Sequence, residues 1–238
     1  CSVGLIVNVI ATAGIGNTFS LMITQWAGHS MIIAILLVAL ASLVLGMGLP
    51  VTAAYIVLGT LSAPALHGLI ADGMLVDALV NGQVSETAKA IFMLAAPEHL
   101  AEIGNPMTHA AARVVIDAVP IDLISAVRES MLSGPVLMYA LLSAHLIVFW
   151  LSQDSNVTPP VALAAFTGAA IAGTKPMETG FQAWKIAKGM YIMPLLFAYT
   201  PFIGGAWLDV FGIFFLALFG LYAFAAGIEA VSYTHLTL

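Results

Sequence analysis

Long apolar runs, separated by short interruptions rich in glycine, proline and small polar residues, set the pattern of this chain. Ser2 to Ala13 is apolar except for Asn8 and Thr12, and Gly14-Ile15-Gly16-Asn17 is a place for a helix to end or bend. The stretch reads as the end of a membrane span. Asn17 to Ser30 mixes Thr18, Ser20, Thr24, Gln25 and Trp26, which suits the headgroup interface or a plain loop equally well. Positions 1–30 are therefore expected to hold a transmembrane span and an interfacial segment.

Two later apolar segments are broken at their middles. In 31–67, Met31 to Leu45 and Val51 to Leu66 flank Gly46-Met47-Gly48-Leu49-Pro50. Two flexible residues followed by a proline are a poor place to continue a helix, so the segment is either one kinked span or a re-entrant helical hairpin. In 136–173, the run Ser143 to Gly173 is interrupted by Asp154-Ser155-Asn156-Val157-Thr158-Pro159-Pro160. Each flank is shorter than the roughly 20 apolar residues that cross a bilayer, and together they exceed it. This predicts one broken transmembrane helix. A pair of broken segments points to a transporter binding site, which favours the hairpin for 31–67.

Between the two, 68–135 changes character. Acids Asp72, Asp77, Glu86, Glu98, Glu102, Asp117, Asp122 and Glu129 outnumber Lys89, Arg113 and Arg128. Ser85 with Glu86 opens a helical run to Leu94, and Thr108 is placed to cap a helix over His109 to Ala118. The expectation is a helical periplasmic insertion whose His99 and His109 are surface residues. After the broken helix, the loop and short helix of 174–190 carry Lys175, Lys185 and Lys188, half of the basic residues, and the positive-inside rule assigns them to the cytoplasm. Counting back across the broken helix puts the acidic insertion outside, in agreement with its shortage of Lys and Arg. Positions 191–230 hold two C-terminal apolar segments, read as transmembrane. The tail 231–238 departs from that pattern and reads as non-native sequence.

Composition narrows the class. Of 238 residues, 61% are hydrophobic and 8% charged, against roughly 25% charged in a soluble domain, and mean hydropathy is +1.06. This is an integral, multi-pass membrane protein. A net charge of −6 and six Lys and Arg residues argue against a nucleic-acid partner. The single Cys1 excludes a disulfide framework and a thiolate metal cluster. Starting at Cys1 without a basic leader, the chain is expected to continue a longer protein.

The chemistry gathers at the second interruption. Pro159 and Pro160 lack backbone donors and push their predecessors out of helical geometry, freeing carbonyls of the preceding turn. In hydrocarbon such groups need protein, water or an ion. Ser155, Asn156 and Thr158 bring side-chain oxygens to the same place, which suits a hard cation such as Na⁺. Asp154 beside the break belongs either to an ion pathway and helix end or to direct coordination. His145, about two turns earlier, reads as a neutral, hydrogen-bonded core histidine. No nucleophile, base and orienting acid share a recognisable arrangement, so enzymatic chemistry has no support.

With GMGLPVTAAYIVLGTLSAPAL at Gly46 to Leu66 and DSNVTPPVALAAFTGAAIAGTKPMETGFQAWKIAKGMYIMPLLFAYTPFIG at Asp154 to Gly204, the chain resembles the large membrane subunit of tripartite ATP-independent periplasmic (TRAP) transporters. It is similar to the C-terminal half of the TAXI type, in which permease parts are often fused. The resemblance implies an all-α integral membrane fold: half of an inverted-repeat elevator transporter of the ion-transporter superfamily, with a re-entrant helical hairpin and a broken transmembrane helix. It implies sodium-coupled import of an organic, carboxylate-type anion across the bacterial inner membrane. The implied partners are a periplasmic substrate-binding protein, the missing N-terminal half, and a small membrane subunit or its fused equivalent. Carried onto this chain, the hairpin tip matches Gly46 to Pro50 and the unwound helix matches Thr158-Pro159-Pro160. The sodium site then draws on carbonyls near Gly46 and Gly48 and oxygens of Thr52, Ser155, Asn156 and Thr158, with Pro50, Asp154, Pro159 and Pro160 along the substrate and ion pathway. Gly68 to Pro135 is longer than the link usual in the family. The alternative is a binding-protein-independent dicarboxylate/sodium symporter of similar architecture.

Overall fold

A computed structural model describes residues 2–47 and 49–234. It is helical, with no strand among the described residues. The α-helices are α1 (Ser2–Thr12), α2 (Ile15–Ala27), α3 (Met31–Gly46), α4 (Val51–Val80), α5 (Glu86–Ala95), α6 (His109–Ala118) and α7 (Ile124–Met131). They are followed by α8 (Gly134–Ser152), α9 (Leu163–Ala172), α10 (Pro176–Ile186), α11 (Met193–Tyr199) and α12 (Trp207–Thr234). Short 3-10 turns occupy Pro97–His99, Asp154–Asn156 and Ala187–Ile192. Among the described residues, three helices are long and apolar enough to cross a membrane, within Val51–Val80, Gly134–Asn156 and Trp207–Ile228. The pair α1 and α2, bent by 73°, would make a fourth as one broken span. The bend is at Gly14, whose φ of 67° is the left-handed conformation that glycine adopts without strain.

The chain divides into two compact units, one of 1–66 with 142–238 and the other of 67–141. In the first, a proline explains how α2 meets α4. Pro64 lies inside α4 and has no amide to donate to the carbonyl four residues earlier, and its ring crowds that carbonyl. That carbonyl belongs to Thr60, and Gly16 of α2 lies against it, with room for a Cβ only 3.3 Å from the oxygen. One turn on, Ser20 donates its hydroxyl to the Leu61 carbonyl at 2.8 Å. Helix α3 buries Met31, Ile35, Val38, Ser42 and Gly46, a stripe at three- and four-residue spacing, and leaves Ile32, Leu36, Leu40 and Val44 exposed. An exposed apolar face of this kind is what a lipid-facing helix presents.

The second unit has its own core, with Phe92 of α5 fully buried among Leu75 and Leu79 of α4, Val115 of α6 and Val127 of α7. Two of its helices, α5 and α6, start on side-chain caps. The Ser85 hydroxyl accepts from the Ala88 amide, and the Thr108 hydroxyl accepts from the Ala111 amide. Within this unit Arg128 of α7 and Asp72 of α4 form a two-pronged ion pair, Nε to Oδ1 at 2.9 Å and Nη2 to Oδ2 at 3.0 Å.

Three features differ from the expectations raised by the sequence. Helix α4 does not stop at the composition change near Leu66 but runs through Gly68 to Val80, because its last turns place Leu75 and Leu79 in the second core. The stretch 191–205 is not a long helix. It holds the end of a 3-10 turn and the seven-residue α11, too short to cross a bilayer, with Pro194 at its start and Pro201 after its end. Finally, the flank before the second interruption is not short: starting at Gly134, it is long and apolar enough as Gly134–Asn156 to cross a membrane by itself. Of the tail, 231–234 lie within α12 and 235–238 lie outside the described residues.

Candidate functional site

Helix α8 gives way to irregular backbone ahead of the two prolines. Helix α8 ends at Ser152, a single 3-10 turn covers Asp154–Asn156, and α9 begins only at Leu163. Between them, the Thr158 amide donates to the Asp154 carbonyl at 2.8 Å and the Ala162 amide donates to the Thr158 carbonyl at 3.0 Å. Pro159 and Pro160, joined by a cis peptide bond, supply no donor of their own. Pro159 packs toward Gly180 of α10, where an added Cβ would stand 3.5 Å from its ring.

The C-terminus of α3 meets this break. A Cβ on Gly46 would clash with the Ser155 Cβ and come within 2.9 Å of the Ser155 Oγ, so only hydrogen fits on Gly46 against Ser155. One turn earlier, Ser42 donates its hydroxyl to the Leu151 carbonyl at 2.8 Å, and both residues are buried. Such carbonyls in the last turn of a helix lack intrahelical donors. Replacing Ser42 with alanine is expected to destabilise the protein by about 1–2 kcal/mol, read as a lowered thermal unfolding midpoint in detergent.

The site residues read from the sequence fall as follows. Gly46 and Ser155 touch. Asp154, Ser155 and Thr158 are buried, and Asn156 is half-buried in the same turn. Ser155 Oγ makes only a long 3.5 Å contact to the Ser152 carbonyl, which leaves it available to a better partner. Thr158 Oγ1 lies 2.6 Å from the Tyr191 hydroxyl. Thr52 lies exposed in the first turn of α4, without a hydrogen bond to the break. Pro50 is exposed and its carbonyl accepts from the Ala54 amide at 2.9 Å, a helix-starting role. Pro160 is exposed and Pro159 half-buried. Gly48 lies outside the described residues.

Asp154 is the unusual member. It is 1% exposed, and neither carboxylate oxygen has a hydrogen-bond partner among the described residues. A buried carboxylate left this way carries a desolvation cost of several kcal/mol that a nearby cation relieves. Hard cations such as Na⁺ are bound by oxygen, and the turn supplies it from Asp154, Ser155, Asn156 and Thr158. These residues therefore fit such an ion. By contrast, the cavity of about 380 Å³ lined by Phe19, Trp26, Leu37 and Leu61 presents almost only carbon and offers a cation nothing.

Two participants were not read from the sequence. Ser42 is the one polar residue within Met31 to Leu45, and that isolation was a usable signal. Tyr191 lies far along the chain in an aromatic-rich stretch and gave none. His145 does hold a polar partner, its Nδ1 lying 3.3 Å from the Tyr55 hydroxyl, with Gly59 beneath the ring.

An all-helical chain with membrane-length apolar helices, whose buried polar groups collect where two helices are interrupted, defines a membrane protein of the transport class. Residues 1–203 match the family model described as Tripartite ATP-independent periplasmic transporter, DctM component, and the chain belongs to that family. It is thus a TRAP transporter permease component and not an enzyme. No curated protein and no solved structure matches the chain.

Proposed function

We propose that this chain is the sodium-binding part of a TAXI-type TRAP permease, corresponding to the C-terminal half of the large subunit. On this reading it lies in the bacterial inner membrane and imports a carboxylate-type organic anion handed over by a periplasmic binding protein. It works as one of two inverted repeats in an elevator, beside the N-terminal half and a small membrane subunit or its fused equivalent. Positions 31–67 act as the re-entrant hairpin and 136–173 as the broken helix. Family membership supports the transporter frame. The observation that carries the sodium reading is the contact of Gly46 with Ser155 beside the partnerless Asp154 carboxylate.

Ser155 Oγ, Thr158 Oγ1, the Asn156 side chain and carbonyls at the end of α3 would hold the ion, with Asp154 balancing its charge. Thr52, exposed as it stands, joins only if α4 shifts toward the break. Bound Na⁺ supplies a fixed positive charge that favours an anion nearby. The residues themselves fix the two interruptions together and exclude lipid from the gap.

The test is equilibrium binding of radiolabelled Na⁺ to the purified full transporter. Thr158→Val is expected to weaken binding about tenfold and Asn156→Ala somewhat less, since each removes an oxygen partner of a charged group. Unchanged sodium affinity in both variants would remove the basis for this site.

A further inference from the structure

A threonine hydroxyl that serves a cation must turn a lone pair to the ion and its hydrogen away, and in a buried site that hydrogen needs an acceptor. At Thr158 a partner stands 2.6 Å away, the hydroxyl of half-buried Tyr191 on the 3-10 turn Ala187–Ile192. The Thr158 backbone is already committed at both its amide and its carbonyl, so the hydroxyl is the part left to be oriented. One pair of hydroxyls thus ties the helix break to the segment that follows α10.

We propose that Tyr191 is a positioning residue for the cation site. Its oxygen takes the Thr158 hydrogen and so directs the Thr158 lone pairs into the break. This rests on the sodium reading above and deepens it, since it places control of one ligand oxygen in the segment following α10.

The experiment compares Tyr191→Phe, Thr158→Val and the double variant in the full transporter, with radiolabelled Na⁺ as the probe. Both the affinity and the number of sites are read from the isotherm. Tyr191→Phe is expected to weaken sodium binding about threefold to tenfold with the number of sites unchanged. The double variant should bind no more weakly than Thr158→Val alone, because the tyrosine acts through the threonine. A purely structural role would lower the number of sites and leave the affinity of the remainder intact, which would overturn the proposal. So would full additivity of the two changes, or an effect of Thr158→Val without one of Tyr191→Phe, and in both cases the sodium site itself would stand. If neither variant moves the affinity, this inference falls, and the sodium reading falls with it when Asn156→Ala also leaves the affinity unchanged.

Discussion

Replacing Gly46 with alanine is expected to lower sodium affinity by tenfold or more. Gly46 ends α3 in ordinary helical geometry, so the requirement is for space and not for an unusual backbone conformation. The added carbon would clash with the Ser155 Cβ and crowd its Oγ at 2.9 Å. The Oγ can rotate away but the Cβ is fixed to the backbone, so relief requires the end of α3 and the 3-10 turn to separate. Overpacking of this kind typically costs about 1–3 kcal/mol, and each 1.4 kcal/mol is about tenfold in an equilibrium constant. Separation would also strain the Ser42 to Leu151 hydrogen bond one turn away. A second substitution checks the cause. Ser155→Gly removes the colliding atoms, so Gly46→Ala with Ser155→Gly should restore assembly, seen as thermal stability in detergent. Sodium affinity should recover only in part, because the same change deletes the Ser155 hydroxyl. Wild-type affinity in Gly46→Ala alone would show that the two interruptions need not touch.

The interruption itself was readable because its cause is local. Two consecutive prolines after Asp154-Ser155-Asn156 keep a helix from running on through 158–160, and α9 begins only at Leu163; that α8 already ends at Ser152 the prolines do not explain. The cap at Thr108 was readable for the same reason, since a hydroxyl ahead of an apolar period acts within one turn. Features set by distant parts of the chain were not readable. Nothing near Gly68 says that α4 continues, and what carries it to Val80 is the burial of Leu75 and Leu79 against Phe92. Proline in 191–205 had a visible effect on paper as a kink, yet with Pro194 and Pro201 so close together only the seven residues of α11 remain helical between the flanking turns. At the candidate site, the oxygen-bearing residues of the break were evident from composition. Their placement against Gly46, and the service of Tyr191 to Thr158, depend on packing that no short motif encodes.

Cutting the ion pair between Asp72 and Arg128 is expected to be the most damaging change outside the candidate site. The pair belongs to the 67–141 unit and joins α4 to α7, two elements far apart in sequence. The side chains are only 12% and 19% exposed, and both guanidinium contacts are near 3 Å, so the geometry is that of a strong bidentate bond. Gly68 makes room for it, since a Cβ there would stand 3.2 Å from Arg128 Nη2. Removing one partner leaves the other charge buried and unpaired. Arg128→Met should therefore destabilise this unit by about 3 kcal/mol, whereas replacing both residues with apolar side chains, Asp72→Leu with Arg128→Met, should recover much of the loss. Hydrogen exchange of the α7 amides in the full protein is the measurement, because it reports opening of this unit separately from that of the membrane helices. Protection lost in the single variant and regained in the double one is the expected result. Equal loss in both would mean that the pair specifies how α7 docks on α4, beyond neutralising a buried charge.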